Sequence, residues 1–204
     1  MLFREAGEEV GSVLKGTMEV MVIELQPGDI FATKGSGFLG WLSFSLMAPA
    51  TDRFHYGIIL RKWRYEGIDD YLILESISKG LSVGRLAFYK GADIKFYRVD
   101  CPQGLRKAAP FELTRWGRSL YDYLLVAKLV VQGLWLLLWH RRRIRSEELT
   151  WSQDNALICS EAVDIAYDAV GVNIIPLHVC PTPSAFRQAE IDGRIVEIKE
   201  GFSG

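Results

Sequence analysis

A close succession of strand-like segments before residue 100 constrains the fold more than any other feature of this sequence. Tyr56–Leu60, Tyr71–Glu75 and Ile94–Val99 are rich in β-branched and aromatic residues, and residues 81–86 form a further strand-like piece. The turns between these segments are short and leave little room for the long crossovers that parallel strands need. The pattern therefore predicts an antiparallel meander and argues against βαβ units.

The segments before and within this meander have weaker patterns. The turn residues Pro27-Gly28-Asp29 lead into the apolar run Ile30–Ala32, and Asp29 is interpreted as a residue that stabilises this turn. Residues 37–47 have helix-like apolar spacing, which Pro49 should end. The polar stretch Arg61–Asp70 predicts a hairpin loop between two strands.

Helical patterns replace strand patterns in the second half of the chain. Residues 110–145 are helix-like, and residues 159–170 repeat apolar side chains at helical spacing until Gly171. Thr182-Pro183-Ser184 begins a short helix, and residues 194–198 form a last strand-like segment. Together these patterns predict an α+β fold, in which a small antiparallel sheet packs against helices.

The chain length of 204 residues suits one domain of ordinary size. We expect residues 1–20 to form an N-terminal arm and residues 21–204 to form the domain, with an apolar and basic helical segment at about 110–145. The net charge of -1 argues against a nucleic-acid binder that neutralises phosphates.

The cysteine and histidine pattern argues against disulfides, metals and cofactors. The three cysteines, Cys101, Cys159 and Cys180, are odd in number and form no CxxC pair. The three histidines are scattered, and the sequence contains neither a phosphate-binding loop nor GxSxG. No apolar signal region follows the first methionine, so we expect reduced thiols in a cytosol-like compartment.

A strongly apolar run complicates this interpretation. Residues 124–139 contain only Lys128 and Gln132 as strongly polar residues, and the basic run HRRRIR follows at 140–145. A spanning helix needs about 20 apolar residues, which disfavours a membrane span. The preferred interpretation is a buried or groove-packing helix. The alternative is a helix at a membrane surface or on a partner protein, because tryptophans and arginines suit a headgroup boundary.

Cys159 is a candidate nucleophile because it begins a predicted helix. Unpaired backbone N–H groups and the helix dipole stabilise a thiolate at this position, and the cysteine N–H can face a developing oxyanion. Taken by its position alone, a structural buried cysteine is the preferred interpretation.

His55 and Glu75 are the candidate partners of this cysteine. His55 opens the strand Tyr56–Leu60, where a base can point into a cleft between strand and helix. Glu75 ends the apolar run at 71–75, where a buried acid needs a partner. If the two strands pair, Glu75 lies beside His55 and can orient its ring. His140 and His178 are weaker candidates.

The order of four short motifs resembles a known family. LQPGDIFAT (25–33), FHYGIIL (54–60), LILES (72–76) and NALICSEAVDIAY (155–167) are together similar to the circularly permuted NlpC-type, papain-like cysteine hydrolases. That branch includes the YiiX/YaeF-like proteins and, more distantly, the lecithin retinol acyltransferase group. In ordinary NlpC-type enzymes the cysteine helix comes first, whereas here it follows the strands.

The resemblance implies a permuted papain-like fold and a catalytic triad. It identifies Cys159 as the nucleophile, His55 as the base and Glu75 as the third polar member, without a cofactor or metal. It implies hydrolysis of peptide amides of cell-wall type, or cleavage or transfer of acyl groups of lipids, through a thioester. The alternatives are an inactive binding or structural module on the same fold, and a membrane-associated interaction protein that uses residues 124–145.

Overall fold

The structure is a computed structural model, which describes residues 24–35, 44–117, 119–149, 151 and 156–199. The N-terminal arm expected at residues 1–20 lies outside the described residues. So does most of the helix expected at 37–47. Its residues 44–46 are helical, and its last residue, Met47, belongs to a short strand.

Six of the described strands form one antiparallel sheet. In the order in which they lie side by side, they are β5 (Gly80–Arg85), β4 (Ile68–Ile77), β3 (Arg53–Tyr65), β1 (Ile30–Lys34), β6 (Ile94–Val99) and β8 (Ile195–Glu197). Two further short strands, β2 (Met47–Ala48) and β7 (Ile144–Arg145), pair in parallel beside this sheet.

The predicted meander is confirmed for β3, β4 and β5 but not for β6. The strand β6 pairs with β1 at the other side of the sheet, and β5 is left at an edge. Ile30, Phe31 and Ala32 of β1 have no exposed surface. A strand buried on both faces needs backbone partners on both edges, and β3 and β6 supply them.

The loop predicted at Arg61–Asp70 is wrong, because β3 and β4 continue through this stretch. Their turn consists of Glu66 and Gly67, whose φ angles of 50° and 80° suit a two-residue hairpin. The end of the hairpin is exposed to solvent on both faces, so the sequence there shows no apolar alternation. Its strands are instead linked by charges, including the pair of Lys62 with Asp69 at 3.3 Å.

Four α-helices lie wholly within the described residues. They are α1 (Gln103–Leu113), α2 (Tyr123–His140), α3 (Cys159–Asp168) and α4 (Pro183–Ile191). The helical segment expected at about 110–145 is therefore confirmed in part, at residues 110–113 and 123–140. It breaks between α1 and α2, where Asp122 caps the N-terminus of α2 by accepting the N–H of Leu125 at 2.8 Å.

The helix and strand signals near the C-terminus are confirmed. The helix α3 begins at Cys159, and Gly171 adopts a φ of 78° in the turn that follows it. Thr182 caps α4 by accepting the N–H of Ala185 at 3.3 Å, and the last predicted strand is β8.

Helices α1, α3 and α4 pack on one face of the sheet. Ile30, Ile58 and Leu74 on that face join residues of the three helices in one apolar cluster, which also contains Phe186 and Ala166. A smaller cluster covers the other face of the sheet. The molecule is thus an α+β structure with an antiparallel sheet packed against helices.

Helix α2 belongs to a separate cluster beside this core. Its inner face packs on β2 and β7 through Leu125 and Leu136, together with Ile158 just before α3. The helix is long and apolar enough to cross a membrane by its length and composition. Only 17% of its residues are buried in the folded protein. The interpretation of a buried helix therefore holds for one face alone.

Candidate active site

Cys159 lies at the first position of α3, where the helix meets the sheet. The residue is 5% exposed, and its sulfur lies 3.6 Å from the carbonyl oxygen of Phe54 in β3. The first N–H groups of a helix have no partner within the helix. The N–H of Cys159 is one of these groups, so it is available to a substrate atom bound at the sulfur.

The pKa of the Cys159 thiol results from opposing effects. Burial alone raises the pKa, because it disfavours the thiolate. The hydrogen bond and the positive charge of His55, with backbone N–H groups of Tyr56 and Ser160, favour the thiolate. The net effect is a pKa below the ordinary thiol value, which is the condition for a reactive cysteine.

His55 lies in β3 between the cysteine and an acid. Its Nε2 atom is 2.6 Å from Oε2 of Glu75, so the Nδ1 side of the ring remains for the thiol. Burial lowers the pKa of His55, but the hydrogen bonds to Cys159 and Glu75 and the charges of both outweigh it and raise the pKa to about 10. An imidazolium beside a thiolate is therefore the favoured charge state of the pair.

Glu75 lies in β4, and the strand pairing required for its contact with His55 is present. Ile58 of β3 is the register partner of Leu74, the residue before the acid. Glu75 is buried, which is costly for a carboxylate without partners. The contact with His55 supplies a partner that also fixes the orientation of the imidazole ring.

Tyr89 is a site residue that the sequence analysis missed. Its hydroxyl donates a hydrogen bond to the same Oε2 atom of Glu75, and its ring stacks on His55 with centroids 5.9 Å apart. Burial, followed by the hydrogen bond to Glu75 and then the charge of Glu75, raises the pKa of this phenol, so it remains a donor. Tyr89 lies in a short 3-10 turn at Leu86–Tyr89, and this segment has no sequence pattern that relates it to His55.

Two glycines allow close packing around His55 and Glu75. A side chain at Gly57 would place its Cβ atom 2.3 Å from the Phe31 ring, and one at Gly84 would place it 2.9 Å from Oε1 of Glu75. Phe31 in turn packs edge-on against His55, with centroids 6.1 Å apart. Close packing on both sides thus restricts the imidazole and the carboxylate.

An apolar cavity adjoins the sulfur of Cys159. Its volume is about 70 Å³. Its walls come from β2, the start of β3, the inner face of α2 and the start of α4. The apolar residues around it are Leu46, Met47, Phe54, Val126, Leu129, Val130, Ile158 and Pro183.

Three polar groups face this otherwise apolar cavity, namely Cys159, Ser160 and Tyr121. The hydroxyl of Ser160 is buried and has no hydrogen-bond partner among the described residues. Burial, followed by the charge of Cys159, raises the pKa of the Tyr121 phenol, so this group is a donor at neutral pH. The cavity therefore combines an apolar wall with hydrogen-bond donors that line it together with Cys159.

The remaining candidates from the sequence do not join this site. His140 and His178 are exposed, the first at the end of α2 and the second in the loop before α4. Burial raises the pKa of Cys101 and raises that of Cys180 to about 12, so both are poor nucleophiles. Within the described part of the chain, no group of three or more His, Cys, Asp or Glu residues is arranged to hold a metal ion.

Neither the protein-family models nor the curated proteins compared with this chain give a match.

Proposed function

We propose that the chain is a cysteine hydrolase that cleaves an acyl ester or amide through a thioester on Cys159. The observation that carries the proposal is the contact of His55 with Glu75 at 2.6 Å beside Cys159, together with the interaction of His55 and Cys159 that lowers the pKa of the thiol and raises that of the imidazole. Three elements distant in the sequence contribute one residue each. Such an arrangement of nucleophile, base and orienting acid is typical of acyl transfer.

The mechanism follows from the charge state of the pair. The thiolate of Cys159 attacks the substrate carbonyl carbon, and the N–H of Cys159 binds the developing oxyanion, with Tyr121 as a second donor. His55 then donates its proton to the leaving alcohol or amine as the bond to the carbonyl carbon breaks, which leaves a thioester. A water molecule loses a proton to His55, attacks the thioester, and releases the carboxylic acid and the thiolate.

The fold that we propose is the circularly permuted NlpC-type, papain-like fold. Its support is the chain order of the site, since the strand with His55 and the strand with Glu75 both precede the cysteine helix. The motifs FHYGIIL, LILES and NALICSEAVDIAY supply the three residues in that order. The chain order is thus the one that the resemblance implies.

The apolar cavity favours fatty acyl groups over cell-wall peptides as substrates. Muropeptides carry many charged and hydrogen-bonding groups, which would lose water in this cavity, where most of the lining residues are apolar. An acyl chain has no such groups, and burial of each methylene contributes about 0.8 kcal/mol. We therefore propose an acyl ester or amide whose carbonyl group lies at Cys159 and whose chain lies between β2 and α2.

The first test is the pH dependence of iodoacetamide labelling at each cysteine, read by mass spectrometry. We expect Cys159 to label rapidly well below about pH 8.5, the ordinary range of a thiol. Cys101 and Cys180 serve as internal controls that should label slowly. In the His55→Ala variant, Cys159 should no longer label faster than an ordinary thiol. In His178→Ala, which removes an exposed histidine, Cys159 should still label rapidly.

Two results would contradict the proposal. Labelling of Cys159 at the rate of an ordinary thiol, unchanged in His55→Ala, would mean that the pair does not activate the sulfur. A Cys159 that stays unlabelled at every pH would mean that no substrate reaches it. Either result would favour a binding module that has this fold.

A further inference from the structure

Helix α2 presents an apolar face to solvent as well as one to the protein. Successive helical residues are rotated by about 100°, so residues 124, 131, 135, 138 and 139 lie on one side of the helix. Trp135 and Trp139 are 51% and 71% exposed, and Leu124, Val131 and Leu138 are each exposed by about two thirds. Globular proteins rarely leave so many large apolar side chains together in water.

The charges around this face are positive. The helix contains no Asp or Glu, and its exposed face carries Lys128. Arg141, Arg142 and Arg143 follow its last residue and are exposed. Arg142 pairs with Glu148 at 2.7 Å, whereas Arg141 and Arg143 have no carboxylate at ion-pair distance among the described residues.

We propose that this outer face of α2 docks on an anionic lipid surface. The apolar side chains would enter the acyl boundary, with Trp135 and Trp139 at the level of the headgroups. Arg141 and Arg143 would bind lipid phosphates at the end of the helix. Apolar residues, interfacial tryptophans and a basic end are the features of helices that lie in the plane of a membrane.

The packing of the inner face excludes a membrane span for this helix while the domain is folded. Leu125 and Leu136 are buried against the protein, and a Cβ atom at Gly133 would lie 3.0 Å from the side chain of Leu46. A spanning helix would have to leave these contacts and surround itself with lipid. Docking on the surface requires only the outer face.

Charge complementarity favours lipid over a second copy of the chain. The helix α2 of a second copy contains no carboxylate that could pair with these cations. An anionic headgroup layer supplies the negative charge that Lys128, Arg141 and Arg143 lack. This proposal does not depend on catalysis, because none of the residues on the docking face belongs to the triad.

Vesicle flotation of the Cys159→Ala protein tests the proposal. This variant is the parent protein of the experiment, because it excludes any effect of substrate turnover. The probes are vesicles of phosphatidylcholine with and without phosphatidylglycerol. We expect the protein to float with the anionic vesicles, and more weakly as salt is raised. Combined Arg141→Gln and Arg143→Gln should weaken binding roughly 30-fold at low salt, given the usual attraction of each basic side chain to an anionic surface.

Combined Trp135→Ala and Trp139→Ala should weaken binding at least about tenfold at every salt concentration, because the buried apolar area is lost. Matched controls lie elsewhere on the surface. Phe111→Ala removes an equally exposed aromatic side chain from α1, and Lys62→Gln with Arg64→Gln removes the same number of charges from the hairpin. These controls should bind like the parent.

Three results would overturn the proposal. Absence of flotation with anionic vesicles would exclude docking, as would equal losses in the control variants. A concentration-dependent dimer in solution that the tryptophan substitutions abolish, without flotation of the parent, would identify a second copy as the occupant. Circular dichroism of every variant, matched to that of the parent, establishes that any loss of binding does not reflect unfolding.

Discussion

The chemistry of the site depends on a single short chain of contacts. Glu75 receives hydrogen bonds from both His55 and Tyr89 on one oxygen atom, so its charge lies at the far side of the imidazole from Cys159. This charge stabilises the imidazolium, and the imidazolium stabilises the thiolate. Glu75 thus affects the proton affinity of His55, and His55 affects that of Cys159.

The pH profile of kcat/KM tests this coupling. The reactive state needs a deprotonated Cys159 and a protonated His55, so activity should rise as pH passes the lowered pKa of the thiol. It should fall as pH passes the pKa of His55, which is about 10. Glu75→Gln removes a charge that raises this pKa, so the alkaline limb should move to lower pH. The acid limb should move to higher pH, because a less stable imidazolium favours the thiolate less.

We expect Glu75→Gln also to lower kcat/KM at neutral pH by at least about tenfold, as is usual when an acid–base group is impaired. Glu147→Gln removes an exposed acid outside the triad and is the matched control. If neither limb of the pH profile of kcat/KM moves in Glu75→Gln, Glu75 does not influence the proton affinities of His55 and Cys159.

At the scale of the element, α2 separates two environments. Its inner face closes the cavity beside Cys159 with Val126, Leu129 and Val130, and its outer face is exposed to solvent. A helix is about 10 Å across, so a membrane at the outer face would lie close to the cavity. One element thus connects the proposed acyl pocket with the proposed lipid surface.

Two neighbouring valines on α2 provide a test of the acyl pocket. Val130→Phe should fill much of the cavity, because Val130 lies on its wall. We expect kcat/KM for long-chain 4-nitrophenyl esters to fall about tenfold or more relative to the acetyl ester. Val131→Phe makes the same change on the outer face and should leave this ratio unaltered. If kcat/KM depends on chain length in the same way in both variants, the acyl chain does not lie in the cavity that Val130 lines.

At the scale of the whole molecule, the turn at Gly28 and Asp29 connects the two layers of the structure. Its carboxylate accepts two hydrogen bonds from Arg98 of β6, at 2.7 and 2.8 Å, and one from the N–H of Gln26. The adjacent Gly28 carbonyl accepts the hydroxyl of Tyr167 in α3. The turn before β1 thereby joins the sheet to the helix that begins at Cys159.

Urea unfolding should report the loss of the Asp29 side of this connection, the bonds to Arg98 and to the turn. Asp29 has no exposed surface, so Asp29→Ala would leave Arg98 and a backbone N–H without their acceptor. We expect the free energy of unfolding to fall by about 3 kcal/mol. Asp69→Ala, which removes an exposed acid paired with Lys62 and Arg64, should change it by less than about 1 kcal/mol. Similar unfolding midpoints for the two variants would contradict this role of Asp29.

The three candidate residues were predictable because each occupies a position with a local signal. Cys159 begins an amphipathic segment, His55 opens an apolar strand, and Glu75 is an acid in a buried run. Tyr89 had no such signal, since its partners are 14 and 34 residues away and no periodicity relates them. Contacts of this kind arise only when separate strands come together.

The sequence alone determined the α+β class, the helix at Cys159, and most strands of the sheet, because these follow from local periodicity and turn residues. The tertiary structure decided that β6 lies beside β1, that β3 and β4 extend through the polar hairpin, and that one face of α2 remains exposed. The physical reason is that local patterns record which faces of an element are apolar. Which neighbour covers each face, and whether any neighbour does, depends on the packing of the whole chain.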